Sequence, residues 1–228
     1  GNLKQADITG VLNYDFWEKL VEDDIAFQFA EKSRPVVELA VNAIDASLDN
    51  PNPEVHLFLE AGGFSVQDQG GGMDLDTILR RLLIPKSSGK RGFEEKYAGR
   101  FGVGFFSSLR YLLQDNYGRI EVVTSNGSDA YRVVLSRYYG TEPQYQGKLQ
   151  VYIKPLPQNT AKGTMVTVRS RNFDVADAQR LLSDNLRFNQ RAKIFVNGSL
   201  LNDTSQLIGF KGNQTQSFLF HTYCKHSV

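Results

Sequence analysis

Apolar residues at Val36, Val37, Leu39, Ala40, Val41 and Ile44 recur with a helical period between Ser33 and Asn50-Pro51. The spacing predicts a largely buried helix with Ser33 as N-cap, Pro35 in the first turn and Asn50-Pro51 as its stop. Upstream, Phe16, Trp17, Leu20, Val21 and Ile25 predict a helix over Asp15 to Phe29. The period then drops to two. From Glu54 to Glu60, Val55, Leu57 and Leu59 alternate with His56 and Phe58, and Phe64 to Asp68 follows after Ala61-Gly62-Gly63. That pattern predicts an antiparallel hairpin, with Asp68 at a strand end.

Asp74 reads as the N-cap of a helix over Leu75 to Leu83, and the polar run Pro85 to Gly92 as a loop. Phe105 to Leu113 has helical character. Arg119 to Ser125 and Tyr131 to Ser136 form a strand pair across Asn126-Gly127-Ser128-Asp129. Leu149 to Ile153 and Thr164 to Arg169 add two strands, Val175 to about Leu186 a helix, and Lys193 to Leu201 a hairpin turning at Asn197-Gly198. This order is not a repeating βαβ pattern. It argues for an α+β chain, a mixed and mostly antiparallel sheet covered on one face by helices. We divide it into residues 1–172 with the N-terminal helix, 173–208 as the same domain or the start of a transducer, and a tail, 209–228.

Composition narrows the function only by exclusion. The 228 residues are 41% hydrophobic and 22% charged, with a formal charge of +1. Such a balance gives no strong signal for nucleic acid as the main partner. Cys224 is the only cysteine, and His56, His221 and His226 are too few and scattered for a zinc constellation. No run reaches the ~18 apolar residues of a membrane span, and no secretion signal opens the chain, so a cytoplasmic location is expected.

Three stretches carry candidate chemistry. On the helix after Ser33, Glu38, Asn42 and Asp45 fall at i, i+4 and i+7 and share one face. A carboxylate and an amide one turn apart suit a general base and an oxygen ligand for Mg²⁺; a solvated face, or Asp45 paired with a basic neighbour, suits the same spacing. Asp68-Gln69-Gly70-Gly71-Gly72-Met73 presents an acceptor carboxylate beside a backbone free of side chains, or a plain turn. Gly99-Arg100-Phe101-Gly102-Val103-Gly104 places amides and a helix start where phosphates bind, with Lys86, Lys90, Arg91 and Lys96 before it. The glycine spacing fits neither a dinucleotide fingerprint nor a P-loop.

Together, in this order, the stretches resemble the GHKL ATP-binding family of gyrase B subunits, ninety-kilodalton heat-shock chaperones, histidine kinases and MutL. The resemblance spans about Ser33 to Arg169. Its glycine loop and the segment Pro85 to Gly89 are most similar to the chaperones. It implies the two-layer sandwich of the Bergerat ATP-binding fold. It also implies Glu38 as general base, Asn42 as Mg²⁺ ligand, Asp68 as adenine reader, Gly70 and Gly72 under the base, and Met73 against its ring. Gly99, Gly102 and Gly104 would bind phosphates, and Thr164 would support a water beside Asp68. Asp45, Lys86, Arg100, Phe101 and Val103 join the expected nucleotide site. The chaperones carry an arginine directly before the helix glutamate, where this chain has Val37. No histidine precedes the site in a dimerisation helix, which argues against an autokinase.

The expected activity is Mg²⁺-dependent ATP binding with slow hydrolysis. A lid over roughly Leu83 to Ala98 would couple nucleotide state to conformation, homodimerisation or a further domain. The competing expectation is an ATP- or ADP-gated interaction module without meaningful hydrolysis, and a third is a domain that binds no nucleotide.

Overall fold

The computed structural model of the chain describes residues 7–11, 31–83 and 103–202. The first strands are β1 (Ile8–Val11), β2 (Glu54–Glu60), β3 (Gly63–Asp68), β4 (Arg119–Ser125) and β5 (Ala130–Arg137). They are followed by β6 (Leu149–Pro155), β7 (Gly163–Arg169), β8 (Lys193–Val196) and β9 (Ser199–Leu200). The helices are α1 (Arg34–Ser47), the single turn α2 (Leu75–Thr77), α3 (Val103–Ser107), α4 (Arg110–Gln114) and α5 (Val175–Leu186).

The strands form one sheet ordered β1-β6-β5-β4-β7-β3-β2-β8-β9. Every neighbouring pair is antiparallel except β2 and β8, which run parallel. The fold is thus a mixed, mostly antiparallel sheet with its helices on one face. The alternation in β2 decides which face: Val55, Leu57 and Leu59 are buried while Phe58 is exposed. Those inward side chains meet Val36, Leu39, Ala40, Ala43 and Ile44 of α1 in one core, joined by Phe64, Ile120, Val122, Val133 and Val168. Phe64, Tyr111 and Phe173 extend it as an aromatic cluster, with ring centroids 5.0 to 6.3 Å apart.

Residues 173–202 continue this layer of helix and sheet. Helix α5 packs on α1, and β8 extends the sheet beyond β2. The turn of the β8–β9 hairpin is Asn197-Gly198, both at positive φ (49° and 82°), as a two-residue turn requires. Asn197 also grips β2, accepting from Leu59 N–H at 2.7 Å and donating to the Leu59 carbonyl at 3.0 Å.

Three local expectations are corrected, and one strand is added. Ser33 precedes α1, but its hydroxyl donates to the Asp174 carbonyl at 3.4 Å instead of capping, which ties the start of α1 to the start of α5. The stretch Leu75 to Leu83 is not one α-helix. After α2, which Asp74 caps through Thr77 N–H at 2.8 Å, it widens into a π turn over Ile78–Leu82, closed by Leu83 N–H on the Ile78 carbonyl at 3.0 Å. In a wider turn Leu82 and Leu83 straddle Ile78, so all three reach the core, where they are buried. The expected helix Phe105 to Leu113 starts at Val103 and breaks into α3 and α4 through tight i to i+3 bonds at Ser108 and Leu109. After the break, Arg110 and the Tyr111 hydroxyl reach the carbonyls of Glu31 and Lys32. Finally, β1 was not anticipated: its four residues are too short for a pattern and are held by pairing with β6.

The expected helix Asp15 to Phe29, the loop Pro85 to Gly92, nearly all of the expected lid and the tail after 209 lie outside the described residues. Among the described residues no helix is long and apolar enough to cross a membrane.

Candidate functional site

The site is built on one rung of the sheet. Asp68 ends β3, and register places Thr164 of β7 opposite it and Thr124 of β4 opposite Thr164. All three are buried. Their side chains connect: the hydroxyls of Thr124 and Thr164 are 3.0 Å apart, and Asp68 Oδ1 accepts from Thr164 N–H at 3.1 Å and Gly70 N–H at 2.8 Å. Thr124 Oγ1 also accepts from Met73 N–H at 2.9 Å, anchoring the glycine-rich turn after β3 on β4, the strand beyond β7.

Helix α1 crosses above this rung and adds Asn42. Together Asn42, Asp68 and Thr164 supply the polar groups of a cavity whose other walls are Leu39, Ala43, Val66, Met73, Leu82, Phe105 and Val166. As it stands the cavity has a volume of about 20 Å³, room for roughly one water molecule, so a ligand larger than that enters only if its walls move apart. The lining, apolar walls with a few converging polar groups, has the chemistry that suits a heteroaromatic ring.

Two features of the cavity are costly without a ligand. Burial pushes the Asp68 carboxyl up to about 6, against the opposing pull of the Gly70 and Thr164 N–H groups. Asn42 Nδ2 is buried without a hydrogen-bond partner. An orphaned buried amide costs about 1–3 kcal/mol. Its oxygen and nitrogen exchange by a simple flip, so either an acceptor or a donor can face the cavity.

The other predicted residues fare differently. Glu38, one turn before Asn42 on α1, does not line the cavity; its Oε1 accepts from Arg34 Nε at 2.9 Å. Asp45, one turn after, pairs with Arg191 at 2.6 Å, so its carboxylate is already engaged by the segment that follows α5. Val37, directly before the glutamate, is core. Gly70 and Gly72 are required by the chain itself. A Cβ on Gly70 would lie 2.4 Å from the Ala46 carbonyl, and one on Gly72, at φ +67°, 1.9 Å from that of Ser125. Gly71 alone of the three faces open space. Met73 is buried in the cavity wall. Val103 and Gly104 open α3, whereas Lys86, Gly99, Arg100, Phe101 and Gly102 lie outside the described residues.

Sequence reasoning missed Thr124, Leu82 and Phe105. Thr124 carries no motif signal, since only the register of β4 on β7 brings it to Asp68. Leu82 and Phe105 read as ordinary core residues at helical spacing. Among the described residues no cluster of three or more His, Cys, Asp or Glu is placed to hold a metal ion.

With this geometry in view, residues 31–128 match the family model described as histidine kinase-, DNA gyrase B-, and HSP90-like ATPase. Over that span the chain is similar to ATP-binding proteins of the GHKL type. The matched span runs from the start of α1 to the turn after β4, taking in Glu38, Asn42, Asp68, Gly70, Gly72 and Met73. Thr164 lies beyond it. No curated protein matches the chain.

Proposed function

We propose that the chain is a Mg²⁺-dependent ATPase that binds ATP with its adenine in the cavity between α1 and the Asp68 rung, and hydrolyses it slowly. The observation that carries this reading is the buried Asp68–Thr164–Thr124 rung facing an apolar slot with an unpartnered amide. A carboxylate held in such a place is costly unless a donor meets it, and the exocyclic amino group of adenine is such a donor. Leu82, Met73 and Phe105, which line the cavity, would contact the ring, and Asn42 would hold the metal by its amide oxygen. Mg²⁺, when bound, offsets charge on the phosphates. Glu38 takes the proton of the attacking water. By the sequence resemblance alone, Gly99, Gly102 and Gly104 would bind the phosphates, with Lys86 and Arg100 as further nucleotide-site residues.

The finer parts of the proposal rest on the sequence resemblance. They are closeness to the chaperone type, a lid over roughly Leu83 to Ala98, homodimerisation or contact with a further domain, and a cytoplasmic setting. Calorimetric titration with Mg-ATP and with Mg-GTP tests the binding step: ATP binds and GTP, lacking the amino donor at that position, does not. Phosphate release from the parent and from Glu38→Ala on the same samples tests the base. Equal rates sink the assignment of Glu38. Tight ATP binding with no release above background leaves a nucleotide-gated interaction module.

A further inference from the structure

Glu38 stands at one end of a line of polar contacts that leads away from the cavity into α5. Arg34, one turn before it on α1, donates from Nε to Glu38 Oε1 at 2.9 Å and from Nη1 to Asn185 Oδ1 at 3.1 Å. Asn185 in turn donates from Nδ2 to the Leu181 carbonyl at 2.8 Å, which decides the end of its amide that faces Arg34. Two arms of one planar guanidinium are thus committed to two helices. Rotating the fork breaks one contact or the other. Among the described residues, the other carboxylate paired with this guanidinium is Glu31, at 3.9 Å.

The Arg34 and Glu38 side chains keep 30% and 23% of their exposure, so the pair contributes little to stability. What it does fix is orientation. One carboxylate oxygen of the residue assigned as general base is pinned by an arginine whose own position is set by a neighbouring helix.

We propose that Arg34, anchored by Asn185, is the positioning residue for Glu38, holding Oε1 so that the other carboxylate oxygen takes the proton of the attacking water. The proposal rests on Glu38 acting as the base. It makes α5 part of the hydrolytic apparatus, because displacement of α5 against α1 reaches Glu38 through two hydrogen bonds.

The test measures Mg-ATP turnover and, separately, Mg-ATP affinity on the full chain for the parent, Glu38→Gln, Arg34→Gln, Arg34→Lys, Asn185→Leu and two double variants. Arg34→Gln is expected to lower kcat about tenfold, a fraction of the range for general base catalysis, with affinity for Mg-ATP unchanged. Arg34→Lys restores part of the rate, since lysine supplies the charge without the second arm. Asn185→Leu lowers kcat about threefold, and adding it to Arg34→Gln costs nothing more, as expected for one line of contacts. Arg34→Gln on a Glu38→Gln background is likewise silent. Turnover of Arg34→Gln at or above the parental rate beside an inactive Glu38→Gln overturns the role of Arg34 alone, as do independent effects of Arg34→Gln and Asn185→Leu. A Glu38→Gln variant as fast as the parent, or a parent without turnover, overturns the base assignment and the role of Arg34 with it.

Discussion

Replacing Asp68 by asparagine should stabilise the empty protein while removing its ability to bind ATP. Burial moves the carboxyl from 3.8 to about 6, and a shift of about two units corresponds to ~3 kcal/mol. The sign follows from the direction. A carboxyl whose folded value is raised favours the fold fully when protonated, below pH 3.8, and that contribution is lost as pH rises through about 6. Asparagine keeps an oxygen to accept from Gly70 and Thr164 N–H but never ionises. The parent and Asp68→Asn should therefore melt together near pH 4. Above pH 7 the variant should be more stable by ~3 kcal/mol, a Tm gain of roughly 6–12 °C for a chain of this size. At neutral pH the variant amide offers a donor where adenine needs an acceptor, so affinity for Mg-ATP should fall by about 100-fold or more. Parental binding should itself weaken as pH drops below about 6. Melting curves from pH 4 to 8 with calorimetry at pH 7.5 check both halves. A Tm difference that is the same at every pH refutes the burial argument, and an unchanged affinity refutes the placement of adenine.

Asn42→Leu should raise the Tm of the nucleotide-free protein, since it removes an orphaned amide worth about 1–3 kcal/mol, while the Mg²⁺ dependence of ATP binding disappears; a Tm below the parent's would count against it. Gly72→Ala forces a Cβ to 1.9 Å from the Ser125 carbonyl at a positive φ, and thermal melts should show a loss of at least about 2 kcal/mol. Asp115, buried beside the largely exposed Arg171, accepts from the N–H groups of Tyr117 and Arg171 and from the Arg171 guanidinium; Asp115→Ala should cost about 1–3 kcal/mol in a urea titration, with ATP affinity preserved in whatever fraction remains folded.

The period of the hydrophobic pattern carried most of the element order. Helix α1, the β2–β3 and β8–β9 hairpins and the strand pair β4–β5 stand where periodicity and turn residues placed them, because each is set by contacts close in sequence. Residues bearing a local chemical signature were equally visible: Asp68 at its strand end, Asn42 one turn after Glu38. Elements whose form depends on distant partners were not. Strand β1 exists through β6, and the π turn at Ile78–Leu82 exists because three leucine-sized side chains must share one core.

Sequence alone determined which residue types could form the site and on which elements they sit. Tertiary structure decided which of them meet. Sheet register brought Thr124 and Thr164 to Asp68 across three strands that are remote in sequence, and no period or motif encodes a register between such strands. Packing of α5 on α1 decided the rest. On one polar face Asn42 was left to the cavity, Asp45 was given to Arg191, and Glu38 was joined through Arg34 to Asn185. Three side chains that helical spacing makes equivalent thus acquired different surroundings, because helical period fixes direction along a face but not what lies opposite it.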